Sequence, residues 1–223
     1  MRTAQTRTLA VRNSTPSGKG TLGPMNPRLL AALFLAGLFA VAAVALAISE
    51  SGDEPPDVAR GEFAGSRLPD GVRAPAFDLT DERGERVAMS DFRGRPVIVT
   101  FLYTNCDETC PPAAQQVKGA LNELGEDIPA LAIAVEPPRD TPASARAFLS
   151  EQRMLGRMRF VLGTRAELGP VWRGYAIRPQ VGGGEHQARI VIVDRRGYQR
   201  VGFPVEQATP ERIAHDVRLL LAY

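Results

Sequence analysis

Cysteine and histidine are scarce in this chain of 223 residues: there are two of each, with one tryptophan and an aromatic content of 6%. Two cysteines cannot build the several-bridge framework of a disulfide-stapled fold, so Cys106 and Cys110 read as chemistry rather than scaffolding. Acidic residues are missing from the first 28 positions, which carry Arg2, Arg7, Arg12, Lys19 and Arg28. Charge of either sign is missing from Leu29 to Ile48. At about 1.5 Å per helical residue that run spans about 30 Å, the thickness of a hydrocarbon core. The cationic flank then stays on the cytoplasmic side and everything after it lies outside. A cleaved signal peptide is the rival, with Ala45-Leu46-Ala47 as its small-residue site, but the run exceeds the roughly 7 to 15 residues of a signal core. A buried core helix fits less well, because the run is apolar on every face.

Removing the five basic residues of the tail leaves 22 Lys and Arg against 25 Asp and Glu, so the remainder is near −3 despite the formal net charge of +2. No basic stripe remains there to suggest nucleic acid. Residues 49–70, opening Ser-Glu-Ser-Gly-Asp-Glu-Pro-Pro, lack apolar periodicity and read as a flexible linker. Residues 71–223 have the size of one domain. The expected organisation is therefore a basic cytoplasmic tail over 1–28, a transmembrane anchor over 29–48, a linker over 49–70 and an extracytoplasmic domain over 71–223.

Within that domain, Ala76–Thr80 and Arg86–Ala88 read as a short strand pair around the turn Asp81–Gly84, and Pro96–Tyr103 as a fully buried strand. Helical spacing follows from Pro111 to Leu124, then a strand over Ile128–Val135 and a helix from Thr141-Pro142, with Thr141 as N-cap, to about Gln152. Arg159–Leu162 reads as a strand and Ala166–Tyr175 as a helix. Arg189–Val193 and Gln199–Phe203 flank the turn Asp194–Gly197 as a hairpin, and Thr209-Pro210 opens a terminal helix. Parallel crossovers followed by a hairpin and a helix predict an α/β domain, a mixed sheet flanked by helices in a thioredoxin-like layout.

The cysteines stand in Phe101-Leu-Tyr-Thr-Asn-Cys106-Asp-Glu-Thr-Cys110-Pro-Pro, after the buried strand and at the mouth of a helix. If the intervening residues form the first helical turn, both sulfurs lie on one face. Amide N–H groups and the dipole at a helix start favour thiolate, the form that binds metal or attacks a disulfide. Asp107 and Glu108 oppose ionisation but favour a bound cation. A metal held by two thiolates wants a further donor, and the domain offers only His186 and His215. His215 sits in the pattern of the terminal helix and reads as a packing or surface residue. His186 lies in Val181-Gly-Gly-Gly-Glu-His-Gln, just ahead of the strand Arg189–Val193, where loops at one sheet end can meet. Two soft thiolates and an imidazole suit Cu(I) and also accommodate Cu(II) or Zn(II). Structural zinc would usually take a fourth Cys or His, which favours copper.

The segment Val97–Pro111 with Cys106-x-x-x-Cys110-Pro, the segment Ala134-Val-Glu-Pro-Pro-Arg-Asp140-Thr-Pro, and His186 before Ile190-Val-Ile-Val-Asp194-Arg-Arg-Gly197 together resemble the SCO/SenC family. The resemblance runs from about residue 70 to 221. It implies a membrane-anchored copper chaperone of thioredoxin-like fold that helps assemble the copper centre of cytochrome c oxidase, with Cys106, Cys110 and His186 as copper ligands. It also implies the copper-bearing oxidase subunit as partner and a cell-membrane location with the soluble domain outside. This chain has Cys106-Asp-Glu where the family usually has Cys-Pro-Asp, and Glu136-Pro137 where it usually has Asp-Pro. Asp140 matches a recurrent family acid, although capping the next helix explains it equally well. The alternative is an extracytoplasmic thiol:disulfide oxidoreductase in which Cys106 and Cys110 are redox-active. Its usual motif is Cys-x-x-Cys, one residue shorter than the spacing here.

Overall fold

The structure is a computed structural model that describes Arg28 and residues 62–178 and 188–222. The expected span over 29–48 and His186 lie outside the described residues. Among the described residues no helix is long and apolar enough to cross a membrane.

Strand β1 is Ser66–Arg67, β2 is Asp78–Thr80, β3 is Arg86–Ala88 and β4 is Val97–Leu102. Helix α1 (Cys110–Leu124) leads to β5 (Ala130–Ala134), and α2 (Pro142–Glu151) leads to β6 (Arg159–Val161). Helix α3 (Arg165–Gly174), the strands β7 (Arg189–Val193) and β8 (Gln199–Pro204), and α4 (Pro210–Ala222) complete the domain. The main sheet runs β1-β8-β7-β4-β5-β6, with β4, β5 and β6 parallel and the β4–β7, β7–β8 and β8–β1 pairs antiparallel. This is the mixed sheet flanked by helices that the order of apolar runs predicts.

Strand β4 is apolar on both faces because it is central: every residue of Val97–Leu102 is buried between β7 and β5. Phe101 meets the ring of Tyr175, just past α3, edge-on at 5.1 Å. The indole of Trp172 donates to the Ala134 carbonyl at 2.9 Å and so ties α3 to the end of β5. Trp172 and Tyr175 are thus core packing.

Both hairpins use one device. Asp81 accepts from the Arg83 and Glu85 amides, and Asp194 from the Arg196 and Tyr198 amides, while Gly84 and Gly197 close each turn in the left-handed region. The β2–β3 pair, however, forms its own two-stranded sheet beside the main one.

Strand β1 lies within the segment that reads as linker. It is only two residues long and shows no alternation, so nothing in its side chains announces it. It is held through backbone pairing of Ser66 with Gly202 and Arg67 with Val201, and through the buried carboxylate of Asp216, which accepts from the Ala64 and Gly65 amides at 2.7 and 2.9 Å. The same carboxylate meets His215 Nδ1 at 2.8 Å, which gives that histidine the packing role its position implies.

Helices α1 and α4 cross where α1 has a glycine. A Cβ at Gly119 would lie 2.5 Å from Pro210 Cγ and 2.8 Å from its Cβ. Alanine improves a helix interior by up to about 1 kcal/mol, whereas overpacking costs about 1 to 3 kcal/mol. Overpacking wins here, because the obstacle is a stiff proline ring at a helix start. Gly119→Ala should lower stability by about 1–2 kcal/mol in urea unfolding; a raised midpoint would contradict this account of the α1–α4 contact.

Candidate metal centre

The cysteine loop leaves the sheet at the end of β4. Its first residue, Tyr103, is half-buried, and Asn105, Asp107 and Glu108 are exposed, but Cys106 is 5% exposed and Cys110 fully buried. Both are free thiols. The residues between them do not form the first turn of a helix, since α1 begins only at Cys110. The sulfurs converge for another reason, which lies in the amides of the helix start.

A helix leaves its first N–H groups without intrahelical acceptors. In α1, Pro111 and Pro112 have no N–H to satisfy, and Ala113 already reaches the Thr109 carbonyl at 3.1 Å. The Cys110 amide remains, and Thr109, which precedes it, makes no side-chain cap. Cys106 Sγ takes that amide at 3.2 Å, the capping role that serine, threonine or aspartate commonly fills. The Thr109 hydroxyl lies 3.5 Å from the same sulfur, and the Tyr103 hydroxyl also bonds to it.

These donors divide the pair. The Cys110 thiol donating to Cys106, with the Thr109, Tyr103 and Cys110 amide donors, holds the Cys106 thiol well below the ordinary thiol range against the opposing effect of burial. Cys110 moves up, because its proton is shared with Cys106 and because it is buried. Tyr103 is likewise pushed up by donating to the Cys106 sulfur. The first negative charge of the pair therefore resides on Cys106, at the positive end of the α1 dipole. A thiolate beside a thiol that can release its proton suits a soft cation. Among the described residues no group of three His, Cys, Asp or Glu comes together, so the described part of the centre is the cysteine pair.

A buried carboxylate braces the loop, at a position that reads equally as a cap for the next helix. Asp140 accepts from the Thr104 amide at 2.8 Å with one oxygen and from the Glu136 amide at 2.9 Å with the other, joining the cysteine loop to the β5–α2 loop. Burial raises its carboxyl from the ordinary value, and the two amides pull it back. The α2 cap is Thr141, whose hydroxyl accepts from the Ser144 amide at 3.2 Å. Two cap-type residues side by side for one helix start is the signal that one of them has other work. Leaving both amides unpaired would cost about 1–3 kcal/mol each.

The SCO1/SenC family model matches residues 68–222. The mitochondrial SCO1 homolog of Homo sapiens is 28% identical over 108 residues, covering 45% of this chain but only 35% of the human protein. Protein SenC of Rhodobacter capsulatus is 27% identical over 158 residues, 65% of this chain and 69% of that protein. Among solved structures, Bradyrhizobium japonicum ScoI with copper bound is 30% identical, with a TM-score of 0.58, covering 67% of this chain and 99% of that one.

The asymmetry of the pair is directly measurable. Thiolate ultraviolet absorbance of the metal-free protein should show one thiolate forming below the ordinary thiol pKa of about 8.5, assigned to Cys106 by its loss in Cys106→Ser. Cys110→Ala removes the strongest donor and should move that titration upward. Two thiols ionising together at the ordinary value would refute the division.

Proposed function

This chain belongs to the SCO1/SenC family, and from that premise we propose that it is a membrane-anchored, extracytoplasmic copper carrier that helps assemble the copper centre of cytochrome c oxidase. Copper is its cargo. The observation that carries the reading is the capping of α1 by the Cys106 sulfur, which holds two reduced sulfurs against each other with one poised as thiolate. Such a pair supplies two soft donors to Cu(I) and, together with one imidazole, a low-coordinate site from which an acceptor's own ligands can take the ion.

His186 is the proposed third ligand. Its support is the position of the described chain on either side of the sheet's centre. Thr100 of β4 is paired with Ile190 of β7, and continuing that antiparallel register sets Ala188 level with Leu102, at the end of the sheet where the cysteine loop departs. His186 is two residues ahead of Ala188, at most ~7 Å of extended chain. The exposed Asp107 and Glu108, between the two cysteines, place negative charge beside the pair, which draws cations. The organisation read from sequence is part of the proposal: a basic cytoplasmic tail over 1–28, an apolar anchor over 29–48, and the copper-binding domain outside. The copper-bearing oxidase subunit is the proposed acceptor.

The test is Cu(I) loading of the full chain in detergent, with native protein beside Cys106→Ala, Cys110→Ala and His186→Ala. Native protein should bind one equivalent, either cysteine variant should lose it, and His186→Ala should bind at least about tenfold more weakly, ~1.4 kcal/mol. Equal affinity in His186→Ala would remove the histidine from the site. No binding by native protein, with disulfide reductase activity in its place, would replace this reading with the oxidoreductase one.

A further inference from the structure

A groove of about 890 Å³ lies at the end of the sheet away from the cysteines, and its lining includes Glu62, Arg67, Gly94, Asp194, Arg195, Arg196 and Arg200. It is built where three loops are laced together. The Gly94 amide donates to the Arg195 carbonyl and the Ala74 amide to the Gly197 carbonyl, both at 2.9 Å. This brings exposed Arg73, Arg93, Arg95, Arg195 and Arg196 to one end of the domain.

Some of that charge is answered locally. Arg67 pairs with Asp70 and Arg95 with Asp127, and Arg200 stands between Asp70 and Asp194. Among the described residues no carboxylate is in ion-pair range of Arg73, Arg93, Arg195 or Arg196. Arg73 and Arg196 lie over the ring of Tyr198 at 4.6 and 5.9 Å, Arg93 lies over Gly197, and Arg195 donates to the Gly94 and Leu221 carbonyls. These contacts hold the guanidinium groups in place without neutralising them. At the cysteine end, by contrast, Asp107 and Glu108 are exposed and Arg139 is paired with Glu136. Arginine, not lysine, supplies the charge: Lys118 is the one lysine after residue 62. Its planar fork matches phosphate oxygens two at a time.

We propose that this arginine-rich end is a docking face for an anionic phospholipid surface, which turns the cysteine end away from the bilayer. The inference rests on the proposed membrane anchoring and adds the orientation of the domain on the membrane. Lipid is favoured as the occupant because the groove begins at Glu62 and Phe63, where the described chain enters the domain, while the metal centre occupies the other end. Attraction of this kind falls away beyond a Debye length of about 10 Å at 0.1 M salt.

The full chain is reconstituted into vesicles of phosphatidylcholine alone or with added phosphatidylglycerol, and hydrogen exchange is followed by mass spectrometry. Exchange across 93–95 and 194–198 should slow several-fold only with phosphatidylglycerol, while the cysteine loop is unchanged. High salt should erase the slowing, and so should Arg93→Glu with Arg196→Glu, checked for an unchanged melting temperature. Equal exchange in the two vesicles, or slowing that survives high salt, would overturn the proposal. Slowing by polyglutamate but not by phosphatidylglycerol would overturn it in favour of an acidic protein. Failure of the anchor shows separately, as a chain stripped from phosphatidylcholine vesicles by alkaline carbonate. In that event the same exchange comparison with added phosphatidylglycerol vesicles still decides the docking.

Discussion

One backbone amide organises the chemistry of this domain. Helix α1 begins with two prolines after Cys110, which leaves the Cys110 N–H as the helix-start donor in need of a partner. Cys106 Sγ is that partner. Because the acceptor is sulfur rather than oxygen, satisfying the helix also brings the two cysteines together, and the Cys110 thiol, joined by Thr109, Tyr103 and the amide, lowers the proton affinity of Cys106. Helix capping and the poise of the cysteine pair are here the same contact, so a change at Cys106 acts on both.

That contact depends on a frame which keeps the loop from drifting. Strand β4, buried on both faces, fixes where the loop begins, and α1, packed at Gly119 against Pro210, fixes where it ends. Between them Asp140 holds the Thr104 amide and the Glu136 amide, so the two loops at this end of the sheet are tied together. Trp172 secures the end of β5 from α3. For the proposed carrier role such support matters, since fixed donors reduce the ordering that binding would otherwise require. At the far end of the sheet the loops before β4 and after β7 gather Arg93, Arg195 and Arg196, away from the cysteines.

Much of this is legible in the sequence because the relevant signals are local. The continuous apolar run Val97–Leu102 marks a central strand, Thr141-Pro142 marks a helix start, and Asp-x-x-Gly marks both hairpin turns, Asp81–Gly84 and Asp194–Gly197. What escapes is decided by partners distant in the chain. Strand β1 exists because β8 and Asp216, some 135 to 150 residues away, accept and pair its backbone. Asp140 has the look of a cap; its neighbour Thr141 hints that it has other work, and its bond to the Thr104 amide identifies the brace. The cysteine loop shows a subtler difference. Spacing four apart implies a shared helical face, yet the sulfurs meet with Cys106 outside the helix, through its bond to the amide of Cys110. The expected membrane span and the proposed ligand His186 fall outside the described residues, and their support is the apolar run itself and the register of β7.

The central claim, that the two sulfurs act together on a soft ion with an imidazole beside them, is tested most directly by copper-edge X-ray absorption of the Cu(I)-loaded full chain. The account predicts a three-coordinate ion with two sulfur scatterers and one imidazole nitrogen, the nitrogen contribution vanishing in His186→Ala. A spectrum with one sulfur or none, or one that His186→Ala leaves unchanged, would contradict it.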